Sequence, residues 1–179
     1  MPNWVKNVVK FKKVSPEDVD TILFMIGREL TAEADDCYTP ERVLYTIDFN
    51  KIIPEPTDPS ECDKKYLRTE DDHVGADPDK PWFNWYTWHC TYWGTKWSAM
   101  HGYSITTSDE LTLIFDTAWS TPMPIVNKLT LLGHDFDFKF ADEDYGSNCG
   151  SLTYRVKTGW KEKELKNPTS FAKRLWGEY

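Results

Sequence analysis

Apolar residues recur along this chain with two different periods, and the period switches at a few punctuated places. Trp4-Val5-Lys6-Asn7-Val8-Val9-Lys10-Phe11 is dense in β-formers and predicts a first strand. Ser15-Pro16-Glu17-Asp18 then reads as a helix start, with Ser15 to cap, Pro16 at the first helical position and Asp18 to close a capping box. Val19, Ile22, Leu23 and Ile26 follow at helical spacing and predict a helix running to about Leu30. Leu44 to Phe49 reads as a second strand, which makes the opening βαβ. The pattern then breaks: residues 54–81 hold Pro54, Pro56, Pro59, Pro78 and Pro81 with nine acids and four bases, the signature of an exposed insertion.

From Trp82 onward regular spacing returns. Trp85, Trp88, Tyr92 and Trp93 fall on one helical face, and Gly94 supplies a stop. Residues 98–106 and 111–118 predict a hairpin around Ser108-Asp109-Glu110. Pro122 to Leu132 predicts a helix ending at Gly133, with Ser120 or Thr121 as its cap. Phe136, Phe138 and Phe140 alternate with polar residues as a half-buried strand would, and Leu152 to Val156 predicts the last strand. A short helix is expected from about Pro168. The economical solution is an α+β domain over 1–160, with a mixed or antiparallel sheet carrying its helices on one face, followed by a basic C-terminal tail at 161–179.

Size and composition refine this. A chain of 179 residues suits one domain and buries roughly 70% of its unfolded surface, so it needs neither disulfide nor metal to hold together. Nine Trp, nine Tyr and nine Phe imply a core built of rings as much as of aliphatics. The net charge of −8 disfavours nucleic acid as a partner, yet residues 155–179 hold seven bases against three acids and form the one plausible phosphate-binding region. No run approaches the length of a membrane span. Cys37, Cys62, Cys90 and Cys149 form no CxxC pair, and with no signal peptide in evidence they are expected as free thiols of a cytoplasmic protein.

Candidate chemistry is thin. The rings of 82–97 could stack a base, but their helical spacing favours packing against a sheet; Lys96 between Trp93 and Trp97 is placed for a cation–π contact. Asp135, Asp137, Asp142, Glu143 and Asp144 lack calcium-loop spacing and read as a solvated face, or as an acidic face for a protein. His89 and Cys90 are adjacent, so on a helix they diverge and form no dyad; His73, His101 and His134 are scattered. Cys149 lies in the turn Tyr145-Gly146-Ser147-Asn148-Cys149-Gly150 with no cation beside it to activate a thiol. Neither a catalytic set nor a metal or cofactor site is expected.

Five segments resemble a phage and plasmid family of YubB-like proteins with a ferredoxin-like domain. They are Met1-Pro2-Asn3-Trp4 with Asn7; Phe49 to Pro54; Trp85-Tyr86 with Tyr92 to Trp97; Phe115 to Trp119 with Pro122; and Ala141-Asp142-Glu143 with Cys149-Gly150. Val5 stands where a cysteine is common in that family, which speaks against a cysteine-based site there. The resemblance implies a ferredoxin-like core, a mobile-element setting inside a host cell and no catalytic residues to carry over. The leading expectation is a non-enzymatic module that covers a host or phage protein, in one form an inhibitor of a host defence system. Its candidate interaction surface is Trp93, Lys96, Trp97, Asp142, Glu143, Asp144 and Tyr145. The alternatives are a small-ligand or enzymatic site in a Trp-rich cleft and, more weakly, nucleic-acid binding through the basic tail.

Overall fold

The computed structural model describes residues 3–30, 45–58, 67–68 and 82–179. Six strands form one antiparallel sheet: β1 (Trp4–Lys12), β6 (Met100–Thr106), β7 (Glu110–Ala118), β8 (Phe136–Asp142), β9 (Cys149–Arg155) and β10 (Gly159–Glu162). Their spatial order is β10-β9-β8-β1-β7-β6. Four of them, in the order β8-β1-β7-β6, with α1 (Pro16–Ile26) between β1 and β6 and α4 (Met123–Leu129) between β7 and β8, are two interlocked split βαβ units. This is the ferredoxin-like arrangement; β9 and β10 extend it at one edge.

Local signals explain most of the elements. Ser15 and Asp18 make the expected reciprocal capping box at α1. Val19, Ile22, Leu23 and Ile26 of α1 meet Val9, Phe11, Leu111, Leu113, Phe115, Phe136 and Phe138 from the sheet and Ile125, Val126 and Leu129 from α4. Phe136 and Phe138 are fully buried, so truncating either to alanine would cost about 3–5 kcal/mol.

The second core strand is β6, not Leu44–Phe49. Only Tyr45–Ile47 is extended (β3), and it pairs with Gly27–Glu29 (β2) in a separate two-stranded ribbon. Asp48 caps a short helix, α2 (Phe49–Ile52), which turns the chain inward and buries Phe49 against Trp93 and Phe115. The departure of Gly27 into β2 also stops α1 at Ile26, short of Leu30. Of the insertion expected at 54–81, residues 54–58 are described, and Leu67–Arg68 (β4) pairs with Trp82–Phe83 (β5). The remainder of that insertion, with Cys62 and His73, lies outside the described residues, as does Cys37. Asn84 caps α3 (Trp85–Tyr92), and the chain leaves it through Gly94 at φ 80°.

The helices of the ferredoxin-like core share one face, as expected. The C-terminal segment adds a layer on the other: in α5 (Pro168–Glu178), Phe171, Ala172 and Leu175 pack on Val8, Ile114 and Ala141.

Candidate functional site

The ends of β7 and β8, the beginnings of β1 and β6, and the turn after α3 converge at one end of the sheet. A run of hydrogen bonds locks them together. Buried Asn7 donates to Val5 O and to Thr117 Oγ1, and the Thr117 hydroxyl donates to Ser120 O. Ser120 Oγ donates to Gly94 O, Thr95 Oγ1 donates to Ala118 O, and Trp119 N donates to Asn3 O. Ser120 is therefore engaged with the α3 turn and does not cap α4. Pro122 occupies that cap position without a side-chain bond, contrary to the capping expected of Ser120 or Thr121.

That scaffold holds Trp119 in the left-handed region at φ 68°. His101 at φ 48° and Tyr145 at φ 57° lie at the same end; only Lys13, among the described non-glycine residues with positive φ, lies at the other. Each such conformation costs about 1–2 kcal/mol for an L-residue, and strain of this kind gathers where function needs a particular side-chain placement.

The scaffold displays a continuous band of rings. Tyr86 lies 6.5 Å from Trp119, Trp97 lies 6.1 Å from Trp4, and Trp4 lies 5.0 Å from His101. Lys96 bridges the two halves, its Nζ 4.6 Å from the Trp97 ring centroid, 4.8 Å from Trp119 and 5.9 Å from Tyr86. Trp119 is 48% exposed and Tyr86 39%. Acids flank the band: Glu143 Oε1 accepts from Trp4 N at 3.0 Å, and Asp144 accepts from Asn3. Beneath lies a buried ion pair, Lys6 Nζ at 3.2 Å from Asp116 Oδ1, with His101 Nδ1 at 3.2 Å from the other carboxylate oxygen and Trp176 under the ammonium at 4.7 Å.

Lys96, Trp97, Glu143, Asp144 and Tyr145 thus lie on the surface at this end. Two residues of the expected interaction surface do not. Trp93 is 3% exposed; its ring stacks on His89 at 3.9 Å, and its Nε1 donates to Ile53 O, so it fills the core. Asp142 is 7% exposed, and its Oδ2 accepts from Ser147 Oγ and Asn148 N, building the turn instead of facing solvent. The reading of that helical face as packing holds for Trp88 and Trp93, whereas Tyr92, expected on the same face, is exposed, and so is Tyr86. Trp4, His101 and Trp119 were missed in the sequence. Trp119 carried a signal, a bulky ring between a strand and a Ser-Thr-Pro turn, that pattern reading assigned to structure alone.

At the level of this end's topology the fold is already decided, and a comparison with known families agrees. The model described as a ferredoxin-like domain in Api92-like protein matches residues 92–172. The matched stretch contains three of the four core strands, β6, β7 and β8, together with α4. No curated protein and no solved structure matches the chain significantly.

Several titratable groups elsewhere are engaged structurally. His89 is clamped between Lys96 O at 2.8 Å and Glu55 Oε1 at 2.5 Å and turns away from Cys90. Asp135 and Asp137 pair with Arg155, and Asp137 also with Lys12. Burial and the charge of Asp142 push the Cys149 thiol up, the opposite of activation. Among the described residues no three His, Cys, Asp or Glu side chains are placed to hold a metal ion, and no helix is long and apolar enough to cross a membrane.

Proposed function

We propose that this protein is a binding module whose docking face is the ring band Tyr86–Trp119–Lys96–Trp97–Trp4–His101 with its acidic flank at Glu143 and Asp144. The observation that carries this reading is the rigid presentation of exposed rings. A hydrogen-bonded scaffold holds Trp119 in a strained conformation with its indole outward, although folding alone would favour a small residue there. Trp and Tyr dominate the energetics of protein interfaces because they bury large area at little entropic cost. The neighbouring carboxylates select a partner with a basic segment and repel phosphate. A protein carrying Lys or Arg beside an apolar patch fits both halves. The resemblance to phage and plasmid proteins suggests that the partner belongs to a host cell or a phage, and inhibition of a defence protein is one form the interaction would take.

The test is quantitative capture from cells with three baits: the wild type, a Trp119→Ala/Tyr86→Ala variant and a Phe24→Ala variant. Phe24 is 82% exposed on α1, away from the ring band. A stoichiometric protein retained by the wild type and Phe24→Ala, and lost by the double variant, supports this reading. Equal retention by all three contradicts it.

A further inference from the structure

A basic cleft lies on the sheet face that carries α5. In an acidic protein, cations that point onto a sheet are expected to find carboxylates, and on strands β1 and β9 they do. Lys6 pairs with Asp116, Lys10 with Glu110, Lys12 with Asp137, and Arg155 with Asp137 and Asp135. On β8, Lys139 does not. It lies on β8 between Val8 of β1 and Ser151 of β9, half-buried, and no carboxylate among the described residues pairs with it.

Lys139 lies in the lining of a cleft of about 460 Å³ between the β8–β9 surface and the segment leading into α5. Lys163, Lys166 and Arg174 also line it, against the single carboxylate of Glu164. The cleft is anchored: Lys163 N donates to Ser151 O at 2.8 Å, and Phe171 below it is buried against the sheet. Ser170, which opens α5 together with the cap Asn167, adds a hydroxyl to the lining, and the first turn of that helix carries no acid. Arg174 also reaches Glu178, Nε to Oε1 at 3.9 Å, so four cations around the concavity face two carboxylates and leave it net positive, which favours an anion there. The volume lies within the range of small-molecule pockets and exceeds what a simple inorganic ion needs.

We propose that this cleft binds the phosphate groups of a phosphorylated ligand of nucleotide size, with Lys139 as the anchoring cation and Lys163, Lys166 and Arg174 closing around the phosphates. The site is independent of the ring band: its charge is opposite, and it would be occupied whether or not the ring band has a partner.

The experiment is isothermal titration of the full chain with inorganic pyrophosphate, with ATP and with a thymidine oligonucleotide of about twelve residues, a length that suits a single-strand groove. The wild type is expected to bind at least one of them, with affinity falling as salt is raised. Lys139→Gln, which keeps most of the stem, should weaken binding about tenfold or more, as should Lys163→Gln/Lys166→Gln. Lys157→Gln, outside the cleft in the turn between β9 and β10, should leave binding unchanged. Should Lys139→Gln fail to unfold cooperatively, the double variant, altered at two exposed positions, decides. Pyrophosphate or ATP binding at least as well as the oligonucleotide identifies a small ligand. Much tighter binding of the oligonucleotide, with a steep salt dependence, identifies a nucleic-acid strand as the source of the same phosphate chemistry. Absence of binding by the wild type to all three at millimolar concentration, or equal binding by wild type and both variants, overturns the proposal.

Discussion

The Lys96 ammonium stands 4.8 Å from the centre of the Trp119 ring, and that ring is carried on a backbone at φ 68°. The contact itself is worth only about 0.5–1 kcal/mol at an exposed site, less than the strain it accompanies. Stability therefore does not explain the tryptophan. Trp119→Gly removes the left-handed strain and loses a ring that is half in solvent, so the two effects nearly cancel. The expected melting temperature lies within about 4 °C of wild type, while capture of the partner is lost. A large drop in melting temperature, read by calorimetry, would assign Trp119 to the core instead.

Lys6 and Asp116 face each other across β1 and β7 with almost no access to water. Breaking a buried pair strands one charge, so Asp116→Ala should cost about 3–5 kcal/mol. Lys6→Met/Asp116→Leu strands nothing and should recover most of that loss. Urea unfolding of both variants measures the difference. A double variant no more stable than Asp116→Ala would show that the pair's ion character, and not its burial, is what matters.

Acid should unfold the protein through Asp137. Burial alone raises its carboxyl, but hydrogen bonds from Lys12 and Arg155, together with their charges, outweigh that and hold it below the ordinary 3.8. A depressed folded-state pKa contributes stability that is fully present above the ordinary value and disappears as pH falls through the lower one. Asp18, which accepts hydrogen bonds from the Ser15 backbone and hydroxyl, is shifted the same way. Asp137→Asn should therefore be less stable than wild type at neutral pH, with the gap narrowing as pH drops below 3.8. Urea midpoints across that range read it directly, and a gap independent of pH would contradict the assignment.

Gly94 joins the core to the docking face. Its φ is 80°, and a Cβ there would meet Pro124 Cδ at 2.7 Å. Gly94→Ala should cost about 1–3 kcal/mol, and it should also loosen the Ser120 bond to Gly94 O that positions Trp119. Reduced partner affinity together with reduced stability is the expected pair of results, whereas Trp119→Gly separates them.

Where a signal was local, the sequence revealed it. The capping box at Ser15, the period-two phenylalanines of β8 and the helical spacing of α4 each appear where residue chemistry places them. Signals that depended on distant partners were illegible. Tyr45–Ile47 has the composition of a core strand, but Phe49 is pulled into a pocket made by Trp93 and Phe115, far along the chain, and β6 takes the place beside β7 at the edge of the sheet. Trp93 and Trp97 look alike in the sequence; only the fold decides that one stacks on His89 in the core and the other joins Trp4 at the rim. Likewise nothing local marks Lys139 as a half-buried cation without a carboxylate, because its neighbours come from β1, β9 and the segment leading into α5.

Amide hydrogen exchange of the protein with and without its captured partner tests the docking face most directly. The expected footprint covers residues 96–101, 118–120 and 143–146, with little change along α1 or over the cleft at the start of α5. Protection confined to α1 or to that cleft, with the ring band exchanging as freely as before, would contradict the assignment of the docking face.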